Sequence, residues 1–212
     1  MPRAHSPTVV LLVRHGQTAT TGKILPGRSA GIHLSDAGLR QAEAAAQRIG
    51  KMPSVAAVYA SPLERARETA EPIARARKLR VRIEPELSEV DIGDWTGHSL
   101  ARLSKRPEWQ IVQRYPSGFR FPRGESFAEM QLRMTSAVGR VVARHPGETI
   151  VLVSHADPIK SVVAHALGVH LDLLQRIAIA TASLTAIAYW PSGLNVLTVN
   201  SVSSDLAALG PG

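Results

Sequence analysis

The 212 residues carry 25 Lys and Arg against 17 Asp and Glu, a formal net charge of +8, with 44% apolar and 20% charged side chains. Such a balance excludes a disordered chain, suits a single domain over 1–212 with a sizeable core, and favours an anionic partner. The absence of cysteine excludes disulfides, thiolate chemistry and Cys-based zinc sites.

Only the ends, Met1 to Pro7 and Ser203 to Gly212, read as loose. Thr8 to Val13 is a continuous apolar, β-branched run, the pattern of a strand buried on both faces of a helix-covered parallel sheet. It closes as Val13-Arg14-His15-Gly16. An Ala-rich helix starts at Ser35 or Asp36 and stops at Gly50, and a short strand follows over Val55 to Tyr59. Ser61-Pro62-Leu63-Glu64 carries a capping Ser, Pro at the first helical position and Glu at the third, opening a helix to about Lys78. Val81 to Ile83 is another short strand.

From Glu84 to Gly124 the rhythm breaks, with Trp95, Trp109, Pro107, Pro116 and Pro122 in an irregular or helical insertion over the functional edge of the sheet. Ser126 and Glu129 form a capping box for a helix to about His145. Thr149 to Val153 is a second buried strand, ending in Ser154-His155. Asp157-Pro158 caps a helix that stops near Gly168. Leu184 to Trp190 and Leu194 to Val199 form a hairpin on Pro191-Ser192-Gly193. The order implies a mostly parallel α/β sheet with an antiparallel edge. Ligands of such sheets collect beyond the carboxyl ends of the strands, where both histidines fall.

Several partner classes lose support. The basic residues are dispersed, and the concentration from Arg65 to Arg82 reads as a solvated helix face and its exit. Nine aromatic residues without interleaved basic runs give little support for nucleic-acid binding. The longest apolar stretch, Ile177 to Trp190, is interrupted and falls short of a membrane span, and Val9 to Val13 is too short for a signal-peptide core. No membrane partner is expected, and the cytoplasm is the default location.

His15 leaves the sheet beside a permanent cation and a glycine that permits close approach. A neutral imidazole there is nucleophilic at one nitrogen if the other donates to a fixed acceptor, and guanidinium groups can hold phosphoryl oxygens. A lone histidine at a strand end is more often a packed core residue; the recurrence of the other required parts weighs against that here. Arg65 sits in the first turn of a helix and can reach an anion there, or serve as one more surface arginine. His155 can donate to the same group or pack as a core histidine. In Leu87 to Gly97 a carboxylic acid can protonate a leaving alcohol and later deprotonate water if its pKa is raised. Residue by residue, Glu89, Asp91 and Asp94 serve equally, and a solvated acidic turn is the plainer reading.

Five ordered segments carry a resemblance over most of the chain, from Leu11 to about Ala166. They are Arg14-His15-Gly16-Gln17-Thr18, Ser61 through Thr69-Ala70, Leu87 to Gly97, Gly124-Glu125-Ser126 and Val153-Ser154-His155. Together they resemble the histidine phosphatase superfamily, in the branch of phosphoglycerate mutases and related small phosphatases. The resemblance implies a three-layer α/β/α sandwich on which His15 becomes phosphorylated, Arg14, Arg65 and His155, with Gln17 and Thr21, bind the phosphoryl group, and Glu89 is the acid and base. It implies neither metal nor other cofactor, and no His-Glu-x-x-His spacing is present.

The expected activity is hydrolysis of a small phosphorylated metabolite. A phosphomutase is the enzymatic alternative, and an anion- or nucleic-acid-binding module on the same scaffold is the alternative of another class. Family mutases usually carry Asn where this chain has Thr21, and Gly-Gly where it has Ala156-Asp157. Lys23, Arg28, Arg120 and Arg123 are candidates for a rim that meets an anionic substrate tail, with simple surface charge as the competing reading.

Overall fold

The computed structural model describes residues 6–202. The loose ends expected from sequence lie outside that range apart from Ser6 and Pro7. Six strands, β1 (Thr8–Arg14), β2 (Ala57–Ala60), β3 (Val81–Ile83), β4 (Thr149–Ser154), β5 (Leu184–Trp190) and β6 (Gly193–Ser201), form one sheet in the order β3-β2-β4-β1-β5-β6. The first four are mutually parallel; β5 runs antiparallel to β1, and β6 antiparallel to β5.

Alternation along the strands sorts the core into two layers. Val9, Leu11 and Val13 of β1 face the alanine-rich helix α1 (Asp36–Gly50) and α2 (Glu64–Ala76), whose Ala45, Ala46, Ala66 and Ala70 let the helices approach closely. On the other face Val10 and Leu12 meet Met134, Val138 and Val141 of one helix and Ile159 and Val162 of another. Between the layers in sequence, residues 84–124 form three short 3-10 turns and two helices, α3 (Leu100–Leu103) and α4 (Pro107–Arg114). This stretch has its own apolar cluster around Trp95, with Phe119, Phe121 and Phe127 packed about it. The two helices of the second layer are α5 (Phe127–Arg144) and α6 (Ala156–Ala166). Among the described residues no helix is long and apolar enough to cross a membrane.

The capping box expected at Ser126 and Glu129 is present. Two other caps differ from expectation. Helix α2 begins at Glu64 with Leu63 at the cap position, because the Ser61 hydroxyl instead lies 2.8 Å from His155 Nε2. Helix α6 begins directly after His155; Asp157 lies inside its first turn and pairs with Lys160 at 3.1 Å. The helix from Glu64 also stops two residues early, at Ala76, and β2 starts two residues late.

The turn after His15 is pinned backbone to backbone against the start of α1. A Cβ on Gly38 would stand 2.0 Å from Gln17 O, and one on Gly16 would stand 2.6 Å from Gly38 O. Alanine in an ordinary helix interior is about 1 kcal/mol better than glycine, but forcing atoms into a filled space costs about 1–3 kcal/mol. Gly38→Ala is therefore expected to lower the thermal midpoint despite its better helix propensity. A raised midpoint in a thermal melt would show that the turn gives way.

Candidate active site

The parallel pairing of β1 with β4 ends with Arg14 opposite Ser154, and the His15 N–H continues the ladder to Ser154 O at 2.9 Å. The next residue of each strand is therefore a histidine at the same level. The two rings lie 5.1 Å apart between centroids, inclined by 60°. His15 Nδ1 is 2.7 Å from Gly16 O. A carbonyl oxygen only accepts, so Nδ1 carries the proton and Nε2 keeps its lone pair.

His155 has the reverse arrangement. Its Nε2 is beside Ser61 Oγ, whereas Nδ1 has no hydrogen-bond partner among the described residues. With the Ser61 hydroxyl donating to Nε2, the Nδ1–H is available as a donor. Burial, then the Arg65 guanidinium, lowers the His15 pKa to about 3, against the opposing bond to Gly16. Burial and the neighbouring cationic groups also hold His155 well below the usual histidine range. Both rings are therefore neutral at pH 7.

Two guanidiniums flank them. Arg65 is 0% exposed; its Nη2 donates to Gly27 O at 2.8 Å, while Nε and Nη1 have no partner among the described residues. Arg14 donates from Nη1 to Ile179 O at 2.7 Å and has an unpartnered Nε. Burial lowers both pKa values, and the carboxylate of Glu89 opposes it most strongly in each. Gly27 has φ +51°, and a Cβ there would stand 2.8 Å from Ile92 Cγ1. Glycine is thus required where this carbonyl anchors Arg65.

Glu89 stands beside this group, with Oε2 4.0 Å from His155 Nδ1 and its side chain 17% exposed. Burial first, and then the charge of Asp157, push its pKa up to about 7; the Val90 N–H bond, Arg65 and Arg14 oppose the rise. Its loop is clamped from behind. Arg133 grips both oxygens of Glu125 at 2.8 and 3.0 Å and donates to Ser88 O at 3.1 Å. Arg28 donates to Glu89 O at 2.8 Å and pairs with Glu125 at 2.9 Å. Asp91 accepts the Gly93 N–H, and Asp94 pairs with Arg123; neither lines the cavity over the two histidines, whereas Glu89 does.

A cavity of about 450 Å³ opens over these groups, lined by Arg14, His15, Arg65 and Glu89 together with Thr18, Thr21, Asp157 and Lys160. His155 is wholly buried behind it. Gln17 is exposed and does not line it; its backbone N–H donates to Gln41 Oε1 at 2.9 Å. The four rim candidates Lys23, Arg28, Arg120 and Arg123 do not line it either. Arg28 is part of the Glu89 clamp, Arg120 pairs with Glu129, and Arg123 pairs with Asp94. Each of these three arginines thus has a carboxylate partner in the folded chain. Lys23 is exposed beside the cavity wall.

Sequence reasoning does not single out Ser61, Asp157 or the Glu125–Arg133 pair as site residues. The first two carried the local signature of helix caps, and the pair is separated from Glu89 by 36 and 44 positions of chain. The three closely spaced hydroxyls of Thr18, Thr20 and Thr21 were a legible signal. Thr21 Oγ1 accepts the Thr18 N–H at 2.9 Å and lies 3.1 Å from Thr18 Oγ1.

Known proteins are similar to this chain. A bifunctional protein of Mycobacterium tuberculosis is 34% identical over 189 residues, covering 89% of this chain and 52% of that one. The chain thus spans about half the length of that curated relative. Phosphoserine phosphatase 1 of Hydrogenobacter thermophilus is 30% identical over 191 residues, 84% of this chain and 85% of that protein. The solved structure of a mycobacterial glucosyl-3-phosphoglycerate phosphatase superposes with a TM-score of 0.81 at 26% identity, covering 92% of this chain and 99% of that one. The profile of the histidine phosphatase superfamily (branch 1) matches residues 10–202, and on that match the chain belongs to this superfamily.

Proposed function

We propose that this protein is a phosphomonoesterase acting on a small phosphorylated metabolite through a phosphohistidine at His15. The observation that carries the reading is the opposed presentation of two neutral imidazoles, His15 with a free Nε2 lone pair and His155 with an Nδ1 that has no partner among the described residues, beside donors of Arg14 and Arg65 that have none there either. The phosphatases among the relatives and solved structures add support.

In the first half-reaction the His15 Nε2–phosphorus bond forms as the phosphorus–oxygen bond to the alcohol breaks. Protonated Glu89 gives its proton to the departing oxygen. The ring becomes cationic and keeps its Nδ1–H on Gly16 O, while Arg14, Arg65 and His155 hold the phosphoryl oxygens. In the second half-reaction water attacks phosphorus, the Glu89 carboxylate takes its proton, and the nitrogen–phosphorus bond breaks to release inorganic phosphate. The proposed steps call only on side chains of this chain, the Gly16 carbonyl and water.

His15→Ala is expected to abolish phosphate release from an aryl phosphate and to prevent acid-labile labelling by a phosphorylated substrate. Retained turnover in that variant would reject the mechanism. Inorganic phosphate must also outpace any isomerised phosphoglycerate, since the reverse would indicate a phosphomutase.

The first step needs the acid form of Glu89, so kcat/KM falls as pH rises through about 7. Asp157→Asn removes a like charge and lowers that pKa, moving the alkaline limb to lower pH. An unmoved limb would assign it to another group.

The same raised pKa sets a stability trend. Its folded value lies above the ordinary carboxyl value of 4.5, so the contribution of Glu89 to stability is present below that value and is lost as pH rises to about 7. Glu89→Gln is expected to be inactive, yet more stable than wild type at pH 8 and little different at pH 4. Denaturant melts at the two pH values check this; equal differences at both would show that the carboxyl is not protonated in the folded protein.

A further inference from the structure

A second chamber, of about 270 Å³, adjoins the cavity over His15 and shares with it Leu25, Pro26, Glu89, Asp157, Lys160 and Gln175. Its remaining walls are mostly apolar and come from the 84–124 stretch, chiefly Ile92, Trp109, Val112 and Phe121. Glu89 stands at the junction. If this carboxyl protonates the departing oxygen, the carbon skeleton attached to that oxygen extends past Glu89 and into the second chamber.

The walls limit what that skeleton is. Trp109 lies stacked on Trp95, with ring centroids 6.2 Å apart and planes inclined by 23°. Trp95 is itself 1% exposed, so the Trp109 indole is held in place before any ligand arrives. The chamber's lysine is already answered: Lys160 Nζ is 3.1 Å from Asp157 Oδ1 and 2.9 Å from Gln175 Oε1. The nearby Arg28, Arg120 and Arg123 are paired with carboxylates outside the chamber. A second anionic group on the substrate would meet Asp157 and Glu89 with no free cation among the described lining residues.

We infer that this chamber is the leaving-group subsite and takes an uncharged alcohol with a flat apolar face laid against Trp109, in preference to one bearing a carboxylate or a second phosphate. The inference rests on the phosphomonoesterase reading and specifies its substrate class. Trp109 acts here on specificity; the reacting atoms lie elsewhere.

The test compares kcat/KM for 2-naphthylmethyl phosphate, ethyl phosphate and 3-phosphoglycerate on the full chain. The first two release primary alkyl alcohols of similar basicity, so intrinsic reactivity contributes little to their ratio. An aromatic contact of this kind predicts a preference of about tenfold for the naphthylmethyl ester over ethyl phosphate, with 3-phosphoglycerate the poorest of the three. Trp109→Ala should collapse the naphthylmethyl-to-ethyl ratio. Gln113→Arg, which adds a cation to the chamber wall at a half-buried helix position, should raise the ratio of 3-phosphoglycerate to naphthylmethyl ester, and supplies the answer if the tryptophan variant does not fold.

Hydrolysis of ethyl phosphate without a naphthylmethyl preference, or a ratio unmoved by both substitutions, would overturn the subsite and leave the phosphatase reading standing. Failure to turn over any of the esters would overturn both.

Discussion

Four buried donor atoms, Nε of Arg14, Nε and Nη1 of Arg65, and Nδ1 of His155, have no acceptor among the described residues. Leaving a buried polar group unmet costs about 1–3 kcal/mol, and more where it is charged, so a fold tolerates several in one place only when something else holds them there. What they share is sign. All are donors, and they surround an imidazole whose own lone pair is free. An anion with three oxygens bound to an electrophilic centre answers every one of them, and neither water nor a metal cation has that combination of acceptors and electrophile. The folded protein carries the electrostatic cost in advance, so little reorganisation is left for the moment of reaction.

The rest of the architecture can be understood as the means of holding those donors. Parallel pairing of β1 and β4 brings the two histidines level, and their neighbours fix opposite faces of the two rings: Gly16 O takes the Nδ1 proton of His15, and Ser61 takes Nε2 of His155. Arg65 is aimed by Gly27, and Gly16 is held by the Thr69 hydroxyl at 3.0 Å, which itself donates to Arg65 O at 2.7 Å. One turn of α2 thus fixes both the Arg65 guanidinium and the backbone beside His15, the proposed nucleophile. Ala182 closes the other side: it sits at φ +54°, uncommon for a residue with a Cβ, with its N–H 3.0 Å from Arg14 O. Backbone strain of this kind persists where surrounding contacts over-determine it.

Much of this was legible in the chain before any coordinates. Two apolar runs each ending in histidine, with helices between, were enough to place both imidazoles at one edge of a parallel sheet, because strand polarity and buried-strand composition are local properties. What was not legible depended on contacts between distant segments. Ser61-Pro62 has every local feature of a helix start, yet a tertiary partner, His155, claims its hydroxyl and the helix begins two residues later, with Leu63 at the cap. Arg28, Arg120 and Arg123 are indistinguishable in sequence from cations awaiting an anion, and only the fold supplies Glu125, Glu129 and Asp94 as their partners. The choice among Glu89, Asp91 and Asp94 was open for the same reason: which carboxyl turns inward is set by the Arg28–Glu125–Arg133 clamp behind the loop.

That clamp resolves an apparent contradiction in the site. A carboxyl near two guanidiniums should ionise readily, yet the acid step needs it protonated. The cations of the clamp bind the Glu89 backbone carbonyl and Glu125, and so position the residue without pairing with its carboxyl. Arg14 and Arg65 do pull the pKa down, but burial and Asp157 outweigh them. A bound phosphate dianion shifts the balance further in the same direction, since it neutralises those two guanidiniums and adds like charge beside the carboxyl. The proton is therefore held most firmly when the substrate is in place. In the proposed mechanism it is lost only to the alkoxide that forms as the phosphorus–oxygen bond breaks, which is far more basic than any carboxylate. The departing alcohol then carries the proton away and leaves behind the base that the water step requires.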